Sequence, residues 1–340
     1  MNETNEDFQN EANYQEKIQS GDCLRVKNLV KTFDDGKVAV NNLSVNMYKN
    51  EIFALLGHNG AGKSTLISIL SGLYPASEGA ALFQNQNLFD NMDNFRKKIG
   101  ICPQHNVLFE QLTVKEHLEL FSIFKGGNYS DLPFEINKIM EQMDILELKD
   151  REAGTLSGGQ KRKLSIAIAL VGGSEVVFLD EPSSGMDITS RRKLWDVLTR
   201  CKNDRIIVLT THYMEEAAVL GSRVGIISEG KLMCSGTPLY LINRFGEYFN
   251  LTFATTAQTD LEKIKTFINS KFDKINFEVY TEEITFQVYK SKTLNLKNFF
   301  IELDGKIEEF GVKNYSASMP TLEDVFLTVA NNEHEKLSML

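Results

Sequence analysis

Gly57-His58-Asn59-Gly60-Ala61-Gly62-Lys63-Ser64 is a glycine run that ends in a lysine and a hydroxyl. Glycines let a backbone wrap closely round a phosphate with several N–H groups turned inward. Lys63 supplies a point charge for the β/γ-phosphates of a nucleotide, and the hydroxyl of Ser64, followed by Thr65, is placed to ligate Mg²⁺. Such a loop needs a strand before it and a helix after it. Ile52–Leu56 and Thr65–Leu70 have the composition for both.

A phosphate loop of this kind needs an acidic partner at the end of a neighbouring strand. Val176–Leu179 is a strand-like run that ends in Asp180 and Glu181. Asp180 is placed to hold Mg²⁺, and Glu181 to accept a proton from an attacking water. Gln104 follows another such run, Ile99–Cys102, and His212 follows Ile206–Thr211. Ligands of open α/β sheets bind beyond the carboxyl ends of the strands, so Gly57, Gln104, Asp180 and His212 can meet on one rim. Gln104 could then reach Mg²⁺ or the water, and His212 the outermost phosphate. Taken singly, Asp180-Glu181 before Pro182 reads as a capped strand end, and Gln104 and His212 read as surface or packing residues. Their shared position after strands favours the site.

A second anion-binding stretch lies at Leu156–Leu170, LSGGQKRKLSIAIAL. As local structure, Ser157 and Gln160 form a capping box at the start of a helix. That leaves Gly158 and Gly159 unexplained, because glycine in a first helical turn costs stability relative to alanine. Something should approach that backbone closely.

The elements that must position these residues alternate between strand and helix from about residue 22 to 247. Short apolar runs separated by helices predict a mostly parallel sheet buried on both faces. Leu24–Phe33 and Leu43–Met47 alternate more and predict an antiparallel layer. Beyond Gly246 the order changes: strands at Tyr248–Ala254, Ile275–Tyr280 and Ile284–Tyr289, helices at Asp260–Ser270 and Leu296–Leu303, and a last strand near Lys306–Tyr315. That βαββαβ order is the ferredoxin-like pattern. Thr321–Ala330 closes as a helix with Leu322, Val325, Phe326 and Val329 on one stripe.

Bulk composition is that of a globular chain: 340 residues, 42% hydrophobic and 24% charged. The net charge of −9 weighs against general affinity for nucleic acid or acidic membranes. No apolar run approaches the roughly 18 to 20 residues that span a bilayer. Residues 1–21 are acidic and Asn/Gln-rich and read as a disordered tail. Cys23, Cys102, Cys201 and Cys234 are too far apart in sequence for a CxxC pair and read as packing thiols in a reducing compartment. His105 reads as interface or packing, and Trp195 as core-facing.

In this order, the phosphate loop, Gln104, LSGGQ, VVFLDE, Ser184-Gly185-Met186-Asp187 and His212 resemble the nucleotide-binding domain of an ATP-binding-cassette (ABC) protein. The resemblance spans roughly residues 22 to 330. It implies a P-loop NTPase (RecA-like) α/β core at 22–247 with an antiparallel β layer and a helical subdomain at about 105–160. A regulatory-type α+β domain follows at 248–330, then a tail at 331–340. It also implies that Phe33 stacks on adenine. Ser157, Gly158, Gly159 and Gln160 would serve the ATP of a facing domain, and Asp187 would communicate between the two sites.

GHNGAGKST, CPQHNVLFEQLTVKEHL and LTTHYMEEA resemble the A subfamily, which includes lipid transporters, and PTLEDVFLTVA resembles the end of its extension. The expected partners are a second cassette and transmembrane domains supplied by other sequence, at the cytoplasmic face of a membrane, with no nucleic acid. A soluble ABC ATPase acting on nucleic acid or ribosomes is the alternative. A module that holds ATP without turnover fits the intact Glu181 and His212 less well.

Overall fold

The computed structural model describes residues 5–246, 248–256, 258–272, 275–280, 282–289 and 296–329, and fourteen strands lie among the described residues. In the first part they are β1 (Cys23–Thr32), β2 (Val38–Tyr48), β3 (Glu51–Leu56), β4 (Glu78–Phe83), β5 (Gln86–Asn87), β6 (Ile99–Cys102), β7 (Val176–Asp180), β8 (Ile206–Thr211), β9 (Arg223–Ser228) and β10 (Lys231–Gly236). The second part has β11 (Tyr248–Ala254), β12 (Ile275–Val279), β13 (Glu283–Tyr289) and β14 (Asn314–Ser318). Two compact units divide at Pro238/Leu239.

In the first unit, a six-stranded sheet runs β10-β9-β3-β8-β7-β6. All its pairings are parallel except the hairpin of β9 and β10. The expected antiparallel layer is present and larger than the sequence suggests, with order β2-β1-β4-β5. One core joins the two sheets: Phe53 and Leu55 of β3, Phe178 of β7 and Val208 of β8 cluster with Leu66 and Ile69 of the helix Lys63–Leu70 and with Val26, Leu43 and Met47 of the layer. Each fully buried side chain of this kind contributes about 2 kcal/mol.

On the far side, the helix Gly158–Leu170 lies directly on β6. A Cβ on Gly100 would fall 1.6 Å from the carbonyl oxygen of Ala169, so only glycine lets the helix backbone sit this low. Val114–Phe124 and Leu132–Gln142, two helices within the stretch where the helical subdomain is expected, grip the far end of the same helix. Lys125 Nζ donates to the carbonyls of Val171 (2.8 Å), Ala169 (3.2 Å) and Ile168 (3.4 Å) and to Ser174 Oγ (2.7 Å). Glu135 Oε1 accepts the N–H groups of Gly172 and Gly173 at 2.8 and 3.2 Å. Burial pushes the Lys125 ammonium down to about 8. Trp195 is buried as expected, and its Nε1 donates to Glu216 Oε1 at 3.1 Å.

Of the expected disordered tail at 1–21, residues 1–4 lie outside the described residues, and the part from Asn5 to Ser20 is ordered as helix. Its low apolar content hides a specific anchor. The rings of Tyr14 and Tyr48 stand 4.5 Å apart, the Arg223 guanidinium lies over Tyr14 at 4.9 Å, and Lys17 Nζ meets Glu51 Oε1 at 3.0 Å. Cys23, Cys102 and Cys201 are buried free thiols, in keeping with packing roles. Among the described residues, no helix is long and apolar enough to cross a membrane.

The second unit begins at Leu239, earlier than the expected 247/248 boundary, and takes in all of the helix Pro238–Phe245 but its first residue. That helix buries Leu241, and Gly246 at its end abuts Pro320. The sheet order is β12-β13-β11-β14, wholly antiparallel, with the helices Leu261–Lys271 and Leu296–Asp304 in the two crossovers. This is the connectivity of the βαββαβ pattern. Phe249, Phe253, Ile264, Phe267, Phe286 and Phe299 are among its core. The last strand falls later than Lys306–Tyr315: a short helix, Ile307–Phe310, ends at left-handed Gly311, and β14 begins at Asn314. The closing helix covers 322–329 and buries all four residues of the expected stripe. The expected tail at 331–340 lies outside the described residues.

Candidate functional site

β3 runs out of the core into the loop 57–62, and Lys63 opens the next helix. Gly62 has φ +104°, and a Cβ there would meet the Ala39 carbonyl at 2.3 Å, so the turn into the helix requires glycine. Lys63 is 5% exposed. Its Nζ lies inside the loop and donates to the carbonyls of Gly57 (2.7 Å) and His58 (3.0 Å). Burial pushes its pKa down, while the carboxylates of Glu181 and Asp180 pull it back up.

In front of the loop is a cleft of about 370 Å³ lined by Phe33, Asn59, Gly60, Gly62, Lys63, Ser64, Thr65, Gln104 and Glu181, with Lys37 and Ala39 completing the wall. Gly57, His58 and Ala61 shape the loop from behind. A Cβ on Gly57 would strike the Ile227 carbonyl at 2.5 Å, and Ala61 N–H donates to His58 O at 3.1 Å. Phe33 is held edge-on by Tyr74, with centroids 5.7 Å apart, and the Lys31 ammonium lies over its ring at 5.3 Å.

The strand ends deliver the acids. Asp180 closes β7, and its Oδ1 accepts from Ser64 Oγ at 3.1 Å and also from Thr210 Oγ1. Glu181 has left-handed backbone, with φ +46°. Its N–H is fixed by Thr210, through Oγ1 at 3.0 Å and the carbonyl at 3.2 Å. Both carboxylate oxygens are engaged: Gln104 Nε2 donates to Oε2 at 3.2 Å, and His212 Nδ1 lies 3.1 Å from Oε1. The sheet therefore brings Gln104, Asp180, Glu181 and His212 to one rim, facing the phosphate loop. Ser64, Asp180 and Gln104 offer hydroxyl, carboxylate and amide oxygens, the donor set a hard divalent cation takes.

Ser157, Gly158, Gly159 and Gln160 do not line this cleft. The capping box is formed: Ser157 N–H donates to Gln160 Oε1 at 2.9 Å, and Gln160 N–H to Ser157 Oγ at 3.3 Å. Built onto Gly158 or Gly159, a Cβ would meet nothing within 4 Å. The two glycines thus face open space in this chain. Asp187 also lies away from the cleft and caps the helix Ile188–Cys201, taking the Ser190 N–H at 3.0 Å. Its hydrogen bonds with Ser190 hold its carboxyl below the usual range.

Sequence reasoning missed three residues here. Lys37 adds a cation to the cleft wall. Thr210 ties Asp180 to Glu181. Arg162, within a basic run that looks solvated, is 4% exposed.

Fold and site together define the nucleotide-binding domain of an ATP-binding-cassette protein, and residues 40–184 match the ABC transporter family. The chain belongs to that family and matches the cassettes of its A subfamily. It is 39% identical over 310 residues to mouse "Phospholipid-transporting ATPase ABCA3", covering 90% of this chain and 18% of that protein. Against "ABC transporter A family member 2" of Dictyostelium discoideum it is 40% identical over 314 residues, covering 90% and 19%. The chain thus spans about a fifth of the length of these curated relatives. Among solved structures, cbiO1 from Clostridium perfringens, described as part of the ABC transporter complex cbiONQ, matches with a TM-score of 0.61 and 27% identity, over 65% of this chain and 90% of that one.

Proposed function

We propose that this chain is the ATP-hydrolysing domain of a membrane transporter for lipids or lipid-like molecules, working at the cytoplasmic face as one of two facing cassettes. The observation that carries the ATPase reading is the convergence of Lys63, the Ser64–Asp180 pair, and a Glu181 carboxylate flanked by Gln104 and His212 on a single cleft. The lipid reading rests on relatives named as phospholipid-transporting ATPases.

Residue by residue, Phe33 offers a ring face to adenine. Backbone N–H groups of 57–65 cradle the phosphates, and Lys63 exchanges the Gly57 and His58 carbonyls for phosphate oxygens. Ser64, Asp180 and Gln104 would hold Mg²⁺, which supplies charge neutralisation to the outer phosphates when bound. A water placed by Gln104 and Glu181 attacks the γ-phosphorus. Its proton passes to Glu181, and the bond from the γ-phosphorus to the β–γ bridging oxygen breaks, giving ADP and phosphate. His212 donates to the γ-phosphate and orients Glu181. Ser157–Gln160 presents unencumbered backbone to the γ-phosphate held by the facing cassette, and the open space beyond Gly158 and Gly159 supports that reading. Asp187 relays between the two sites. Closure over two ATP molecules moves the attached transmembrane domains, and loss of the γ-phosphate reopens the pair.

Light scattering of the Glu181→Gln protein tests the pairing: Mg²⁺–ATP should convert monomer to dimer, and Ser157→Arg should abolish the shift. Hydrolysis by Glu181→Gln at the wild-type rate would sink the catalytic assignment. The lipid reading is tested by placing residues 22–330 in the corresponding segment of mouse ABCA3. Loss of phospholipid-stimulated hydrolysis in a folded chimera that retains basal hydrolysis counts against it.

A further inference from the structure

The guanidinium of Arg162 sits inside the protein with uncharged acceptors on every side. Nε donates to the Pro182 carbonyl at 2.8 Å. Nη1 donates to the carbonyls of Pro103 (2.6 Å) and Gln104 (3.1 Å) and reaches Asn106 Oδ1 at 3.5 Å. Nη2 donates to those of Asp180 (2.8 Å) and Glu181 (3.0 Å). A buried cation whose bonded partners are neutral carbonyls is a costly way to fill a core. What it gains is geometry, because the planar fork aims at fixed angles and bridges two separate segments at once.

Those segments are the ones that carry Gln104 and Glu181, whose side chains meet on the other side of the same backbone. Glu181 needs such a hold. Its left-handed φ of +46° is unfavourable for a residue with a Cβ and persists only where the surroundings over-determine it. Thr210 fixes the N–H side of Glu181, and Arg162 fixes the carbonyl side together with the carbonyls of Asp180 and Pro182. Arg162 belongs to the helix capped by Ser157, about 8 Å further along its axis.

We propose that Arg162 is a positioning residue for this chain's own catalytic groups: from the helix that presents Ser157–Gln160 outward, it holds Gln104 and Glu181 in their reactive placement. The inference rests on the ATPase reading for its catalytic consequence, but the placement itself can be tested without nucleotide.

The test compares the whole chain with Arg162→Met by amide hydrogen exchange without nucleotide, and then by steady-state ATP hydrolysis. Exchange should rise at 104–106 and 180–184 while β1 and β8 keep their protection. Correspondingly, kcat should fall about tenfold or more with KM for ATP within about twofold, since misplaced groups cost rate and not binding. Guanidinium ion added to Arg162→Ala should restore part of kcat, and sodium at equal ionic strength should not. Unchanged exchange at both loops overturns the proposal, whatever the activity. If the wild-type chain neither binds nor hydrolyses ATP, the proposed function fails, and the exchange comparison still decides the role of Arg162. If Arg162→Met does not fold, Arg162→Lys, which keeps charge and length but loses the fork, is judged by the same exchange criterion.

Discussion

Replacing Lys125 by methionine should change how stability depends on pH, in a direction set by the buried ammonium. Burial lowers the Lys125 pKa from 10.5 to about 8, and the neighbouring Glu135 only partly offsets that. Below pH 8 the lysine is charged in both folded and unfolded chains, so the cost of burying the charge is carried in full. Between about 8 and 10.5 the unfolded chain binds more protons than the folded one, so the stability due to this position rises with pH. At about 1.4 kcal/mol per pH unit, a gap from 10.5 to about 8 is worth about 3 kcal/mol.

Methionine removes the titration and also leaves the carbonyls at the end of the helix Gly158–Leu170 without their four-way donor. That second effect does not depend on pH. The readout is therefore the difference in unfolding free energy, wild type minus Lys125→Met, from urea titrations at about pH 7 and about pH 10. It should grow in favour of wild type by about 2 to 3 kcal/mol over that interval. Titrations of distant cysteines and tyrosines cancel in the difference. A difference constant within about 0.5 kcal/mol would refute the reasoning, since the ammonium would then not be paying a burial penalty.

Two further outcomes follow from the geometry. Gly100→Ala should destabilise by about 3 kcal/mol or fail to fold, because its Cβ would lie 1.6 Å from the Ala169 carbonyl; a urea midpoint equal to wild type would contradict the packing of that helix on β6. Thr210→Val keeps shape but removes the hydroxyl shared by Asp180 and the Glu181 N–H, so it should cost about 1 to 3 kcal/mol in stability and lower kcat; both are read from urea unfolding and ATP turnover, and wild-type values for both would show the hydroxyl to be dispensable.

The residues proposed to meet phosphate were legible because their chemistry is written in types and spacing. Gly62 and Lys63 can be recognised without a fold, and strand-ending Asp180 and Glu181 with only a coarse one. Arg162 was not legible. Lys161, Arg162 and Lys163 form one basic run, and which of them turns inward depends on helix rotation set by tertiary packing; Lys163 reaches Asp144 at 3.0 Å, while Arg162 is enclosed. The helix Asn5–Ser20 was missed because Lys17 and Tyr14 hold it by polar and ring contacts, without an apolar stripe for the eye to find. β4 was missed because Glu78–Phe83 carries two alanines and a glycine and no β-branched residue, so its strand state comes from pairing with β1. In the second unit the periodicities held, and the misplaced last strand followed from not seeing that Gly311 would end a short helix first.

The anchor of the helix Asn5–Ser20 also fixes a load path. Lys17 grips Glu51, the first residue of β3, and the last residue of that strand, Leu56, hands directly to the phosphate loop. The six residues of the strand set its two ends about 17 Å apart. β3 is paired on both sides, with β8 and β9, and therefore resists stretching. The N-terminal helix is thereby tied, through one ion pair and one doubly paired strand, to the start of the loop 57–62.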